Sequence, residues 1–236
     1  MDPFISALVL AGFAGLALPI GGVLAWIENI RDAELHKAVL SWVTSFGGGA
    51  LLSAVALVLI PEGTRMLTPM EALFWLGVGG LAFYWIDKGM SRGQGSLALL
   101  FAMLLDFLPE ALALGAMLSA EDGTALLLAL MIFLQNVPEG FAAFRDIWRC
   151  DSPAWHVLLL FVGLAALGPL CAAVGLIWLE QQSHILDVIM VFASGGILYL
   201  LFQDIAPKVH EAGSSAPSLG AVAGFALGLA GHLLIG

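Results

Sequence analysis

Leu104–Leu105–Asp106–Phe107–Leu108–Pro109–Glu110–Ala111 and Leu134–Gln135–Asn136–Val137–Pro138–Glu139–Gly140 decide how this chain is read. Each stretch sits inside an apolar run long enough to cross a bilayer. A charged side chain at the bilayer centre costs about 2.5–3.5 kcal/mol even on lenient insertion scales, so Asp106, Glu110 and Glu139 together cost on the order of 8–10 kcal/mol. That compares with a whole-protein stability of about 5–15 kcal/mol. Such groups need a partner. No Lys or Arg falls in the interior of any apolar run, and His36, His156, His184, His210 and His232 all lie at or near run ends. A cation, protons or a hydrated cavity must meet the charge.

Outward from these stretches, apolar segments recur over 4–27, 39–61, 70–87, 96–119, 122–144, 155–179, 185–206 and 217–235. About 20 apolar residues at 1.5 Å rise cross the hydrocarbon core. Charged residues make up 11% of the chain, against about a quarter in soluble domains. The sequence predicts an all-α membrane protein of eight transmembrane helices in a single domain, 1–236. The run Phe4 to Ile27 is about twice a signal h-region, and Asp2 precedes it instead of a basic stretch, so it reads as a span.

With eight spans, Arg31, Lys37, Lys88, Arg92, Arg145, Arg149 and Lys208 fall in odd-numbered loops. Only Arg65 falls in an even one. The basic side is cytoplasmic, which puts both termini outside.

Spacing gathers the polar groups. Asp106 and Glu110 are i and i+4 and share a helix face, and Gln135 and Glu139 repeat the offset. Asn136 lies one position round. Pro109 and Pro138 free the carbonyls of Leu105 and Leu134 and predict kinks. Ser119–Ala120–Glu121–Asp122–Gly123 is short enough to predict a tight hairpin of the fourth and fifth spans. Three carboxylates and two amides then converge as oxygen ligands: Asp106, Glu110, Gln135, Asn136 and Glu139. Glu62, after Ile60–Pro61, reads as a solvated helix end ahead of a cation-gathering mouth. Gln203, Asp204, His210 and Glu211 read as a polar loop or an exit site.

Gly220, Gly224 and Gly228 give two overlapping G-x-x-x-G spacings, and Gly47, Gly48 and Gly49 lie in the second span. Small residues let backbones approach where lipid gives no drive to associate. Internal packing is the favoured reading, with a homodimer face as the alternative. Cys150 and Cys171 form no metal or disulfide motif.

These stretches resemble the ZIP family of divalent metal transporters, whose fourth helix carries roughly His-Asn-x-Pro-Glu-Gly and whose fifth carries His or Gln, Asp or Glu, x-Pro-Glu. The likeness extends to Leu59–Ile60–Pro61–Glu62 and to Phe192–Ala193–Ser194–Gly195–Gly196 with Tyr199. It implies a bundle with kinked fourth and fifth helices in the inner membrane of a cell, resembling a divergent bacterial-type member. Family members with two metals place an Asn, an acid and a Glu where Phe107, Asn136 and Gly168 stand. The resemblance therefore implies one transported metal, held by Asp106, Glu110, Gln135 and Glu139.

The family points to zinc, while an all-oxygen ligand set suits harder ions such as Mn²⁺ and Fe²⁺, so Mn, Fe and Cd are kept beside Zn²⁺. The ion is substrate, and no prosthetic group is expected. The expected partners are a divalent metal ion and the lipid bilayer, without nucleic acid. No H-E-x-x-H motif or paired nucleophile points to an enzyme. The alternative reading is a proton-coupled carrier of a small solute that uses the same carboxylates as a proton relay.

Overall fold

Apolar runs fold as helices in a bilayer because each backbone N–H and C=O must find its partner within the segment. The computed structural model describes residues 3–28, 32–90, 96–119, 123–148, 153–179, 182–207 and 216–235. Among them every regular element is helical. Eight helices follow in order: α1 Pro3–Ile27, α2 Ala33–Ala54, α3 Pro69–Met90, α4 Ser96–Ala116, α5 Thr124–Trp148, α6 Ala154–Val174, α7 Ser183–Leu200 and α8 Ala216–Ile235. Seven are long and apolar enough to cross a membrane. The eighth, α4, contributes Phe107–Ala116 as its described apolar stretch.

α2 begins six residues before the predicted 39. Asp32 accounts for this: its extended backbone and its carboxylate, which accepts from Leu35 N at 2.9 Å, cap the helix. An acceptor at this position satisfies one of the orphaned N–H groups of the first turn.

Four of the prolines form two contrasting pairs. Pro109 and Pro138 lie within α4 and α5, and both helices run through them. Pro61 and Pro207 each follow a π turn. Val55–Leu59 extends α2, with Ile60 N bonded to the Val55 carbonyl; Leu201–Ile205 extends α7, with Ala206 N bonded to the Leu201 carbonyl. A proline ring crowds the carbonyl four residues back and leaves it unbonded. A wider turn just before the ring relieves that crowding. A third π turn, Gly175–Leu179, extends α6.

α5 is flanked by α1 and α2, α2 also carries α8, and α3 leans on α7. α4 packs against α6 more extensively than against α5 or α7. The predicted hairpin of α4 and α5 is thus a looser pair than its short connection suggested, because each helix finds a broader apolar face elsewhere.

Gly47, Gly48 and Gly49 form the crossing point. A Cβ on each would meet a different helix: Pro138 of α5, Ile205 of the α7 extension and the Ala221 carbonyl of α8. The glycine stripe of α8 faces α2, with Gly220 and Gly224 against the carbonyls of Trp42 and Phe46 and Gly228 against Ser53. Its small residues are used for packing inside the chain. Large apolar side chains point outward on α3 and α6, among them Leu73 and Leu159, as lipid contact requires.

Candidate metal site

Glu110 of α4 is fully buried, at 0% exposure. The amide of Gln135, on α5, donates to both of its carboxylate oxygens, with Nε2 at 2.8 Å from Oε1 and 2.6 Å from Oε2. The pairing follows from antiparallel neighbours whose polar residues occur at matching depth. If the amide turned over, its carbonyl would oppose the carboxyl at the same short range. Glu110 would then have to carry a proton or share a cation with it.

The adjacent groups reinforce this. Gln135 Oε1 and both polar atoms of the Asn136 amide are buried without a hydrogen-bond partner. Asn136 is 0% exposed. Leaving a buried polar atom unsatisfied costs about 1–3 kcal/mol. Two of these three atoms are amide oxygens, which can accept from a donor or a cation, and the third is an amide N–H2, which can only donate.

A cavity of about 100 Å³ begins at Gln135 and Glu139 and runs toward the end of the bundle where α5 stops. Thr44, Met103, Asp146 and Asp204 also line it. Asp146 lies seven residues beyond Glu139, two turns along the same face of α5. Pro138 lines the cavity as well, packed against Gly47. On the opposite side of the site an apolar cluster including Val58, Leu114, Met131, Ile132 and Ile197 is tightly buried. The cavity therefore opens toward one end of the bundle and is backed by packed side chains toward the other.

Of the predicted ligands, the structure joins Glu110 to Gln135 and places Gln135 and Glu139 on one cavity. Asn136 lies beside them, turned into the core instead of the cavity wall. Asp106 belongs to α4, but its side chain lies outside the described residues. Among the described residues no group of three His, Cys, Asp or Glu side chains comes together.

Phe107 is 2% exposed and points at Gly168. A Cβ on residue 168 would stand 2.6 Å from the Phe107 ring and 3.1 Å from the Ala11 carbonyl. The ring occupies the space that any side chain at 168 would need.

At the far end, Glu62 pairs with Arg65 at 2.5 Å; the Arg65 side chain is exposed, while that of Glu62 is largely covered, so it is less solvated than the sequence predicts. Asp204 lines the cavity, Gln203 is exposed, and His210 and Glu211 lie outside the described residues. Tyr199 donates to Asp87 at 2.8 Å and ties α7 to α3.

Asp146, Asp187 and Glu28 escaped the sequence reading. Asp146 was hidden by its place near a helix end, although its seven-residue offset from Glu139 was visible. Asp187, inside Ile185–Leu186–Asp187–Val188–Ile189, is 4% exposed and accepts from Met66 N at 2.7 Å, pinning the α2–α3 connection to α7. No protein-family model matches the chain, and no curated protein matches it.

Proposed function

We propose that this protein carries a divalent transition-metal cation, zinc first and Mn²⁺, Fe²⁺ or Cd²⁺ beside it, through a site between α4 and α5. The observation that carries the reading is the fully buried Glu110 held by Gln135, beside the unpartnered buried amide of Asn136. Each of these side chains carries an oxygen that a turn of its amide or carboxylate would bring to a cation, and the interiors of the apolar runs contain no Lys or Arg.

Cavity size supports an ion over an organic solute. About 100 Å³ is well under the roughly 300–1,000 Å³ of small-molecule pockets. In this reading α4 completes the set of eight spans, the basic loops face the cytoplasm, and the cavity mouth at Asp146 and Asp204 is the cytoplasmic exit. The resemblance to ZIP transporters agrees with these assignments. The prolines, by freeing the Leu105 and Leu134 carbonyls, loosen both helices where the ion must pass, and alternating access follows from helix groups moving about the site.

Glu110 and Glu139 bind a cation as carboxylates, so protons compete with metal. Occupancy rises with pH as they deprotonate and falls as they are protonated. The test is uptake of Zn²⁺, Mn²⁺, Fe²⁺ and Cd²⁺ into proteoliposomes, comparing the wild type with Glu110→Ala and Glu139→Ala. The reading expects uptake to be lost in Glu110→Ala and strongly reduced in Glu139→Ala. Unchanged uptake in both variants removes the site.

A further inference from the structure

A second hollow lies beyond the cavity wall. It is a groove of about 730 Å³ between α2, the π turn that ends α7, and α8. Its polar side chains are Ser45 and Ser218, and the remainder of the lining is apolar, including Phe202, Val222, Phe225 and Leu229. Ser45 packs beside Gly220, which sets both serines at the end where α8 begins. The Ser45 hydroxyl is buried without a hydrogen-bond partner, in a side chain 1% exposed. Along α8, Leu229 lies eleven positions beyond Ser218, a rise of roughly 16 Å. That is about one leaflet of a ~30 Å hydrocarbon core.

A groove polar at its surface end and apolar for the depth of one leaflet has the form of a phospholipid chain with its ester at the mouth. Lys37, Ser41 and Ser45 follow one another at intervals of four on α2 and share a face. Lys37 is exposed two turns nearer the surface, where a phosphate would stand. The chain's own neighbouring segment 208–215 reads Lys-Val-His-Glu-Ala-Gly-Ser-Ser, too polar to occupy an apolar groove.

We propose that the α2–α7–α8 groove is a phospholipid site. The acyl chain lies along Val222, Phe225 and Leu229, Ser45 donates to an ester carbonyl, and the phosphate faces Lys37. The groove and the cation cavity share Gly48 and Ile205. Ile205 Cγ2 lies 2.7 Å from where a Gly48 Cβ would sit, so the wall is one side chain thick and the lipid backs it. This inference rests on the chain spanning a membrane and is independent of what the cavity carries.

The test uses the full chain in nanodiscs containing phosphatidylglycerol with a photoactivatable diazirine in its acyl chain. Labelled positions are mapped by peptide mass spectrometry. Labelling is expected to concentrate on Phe225 and Leu229, above that on the outward face of α6 at Leu159 and Val162. Ala226→Trp fills the groove from an exposed position, and is expected to abolish the groove label while leaving the α6 label as the internal control for folding. Lys37→Ala is expected to lower retention of phosphatidylglycerol in native mass spectra. Even labelling of all outward faces that Ala226→Trp leaves unchanged overturns the proposal. So does an unlabelled groove with α8 of two copies cross-linked together, which would make a second copy of the chain the occupant.

Discussion

Two buried glutamates meet their charge in opposite ways. Glu28, just past α1, is met by the Arg145 guanidinium, which also donates to its backbone carbonyl at 3.1 Å; His36 Nδ1 stands 3.4 Å from the same carboxylate. Glu110, in the middle of α4, is held by a neutral amide. An ion pair at a helix end joins α1, α2 and α5 and leaves little charge to offer. An amide stabilises a carboxylate without neutralising it. The difference separates a carboxylate paired with a guanidinium at a helix end from a fully buried one hydrogen-bonded to an amide.

Loss of the Glu110 carboxylate should weigh most. Glu110→Ala lowers cation uptake by more than the ~10–100-fold typical of an outer-shell partner, while Glu110→Gln preserves the fold and still loses uptake. Proteoliposome flux with radioactive zinc measures both. At the structural half, Arg145→Ala leaves Glu28 buried without its guanidinium and costs about 3–5 kcal/mol of stability. Chemical denaturation in detergent checks it, and uptake per folded molecule stays near that of the wild type. A loss of cation binding in Arg145→Ala would erase the distinction between the two sites.

Smaller effects sharpen it. Gly168→Ala drives a methyl into the Phe107 ring and costs about 1–3 kcal/mol. Combined with Phe107→Ala the losses are less than additive, because the two residues share one space. Thermal unfolding of the two single variants and the double variant measures the coupling. Glu62→Ala removes one local i,i+3 pair whose Arg65 side is exposed, costs under about 1 kcal/mol and leaves uptake unchanged. A large uptake defect there would make Glu62 part of the path.

The helices were legible because a bilayer asks little more of a sequence than apolar length, and the breaks at Glu28, Thr64 and Gly123 are polar or small. The meeting of Glu110 with Gln135 was legible too, since equal offsets on two consecutive spans put like groups at like depth. What remained hidden depends on packing. Nothing in the Val55–Leu59 run distinguishes a π turn from an α turn until Pro61 is considered with it. The preference of α4 for α6 over α5 is decided by faces such as Phe107 on Gly168, which no single span displays. Asp187 was legible only as a charge in an apolar run, and its partner, the Met66 amide, comes from another connection.

A cation held between α4 and α5 scatters anomalously. Anomalous diffraction from zinc- or manganese-soaked crystals tests for it most directly. The expected result is a peak bounded by Glu110, Gln135 and Glu139, absent in Glu110→Ala. A protein that transports the metal yet shows no peak there, or shows one only at Glu28 and His36, would contradict it.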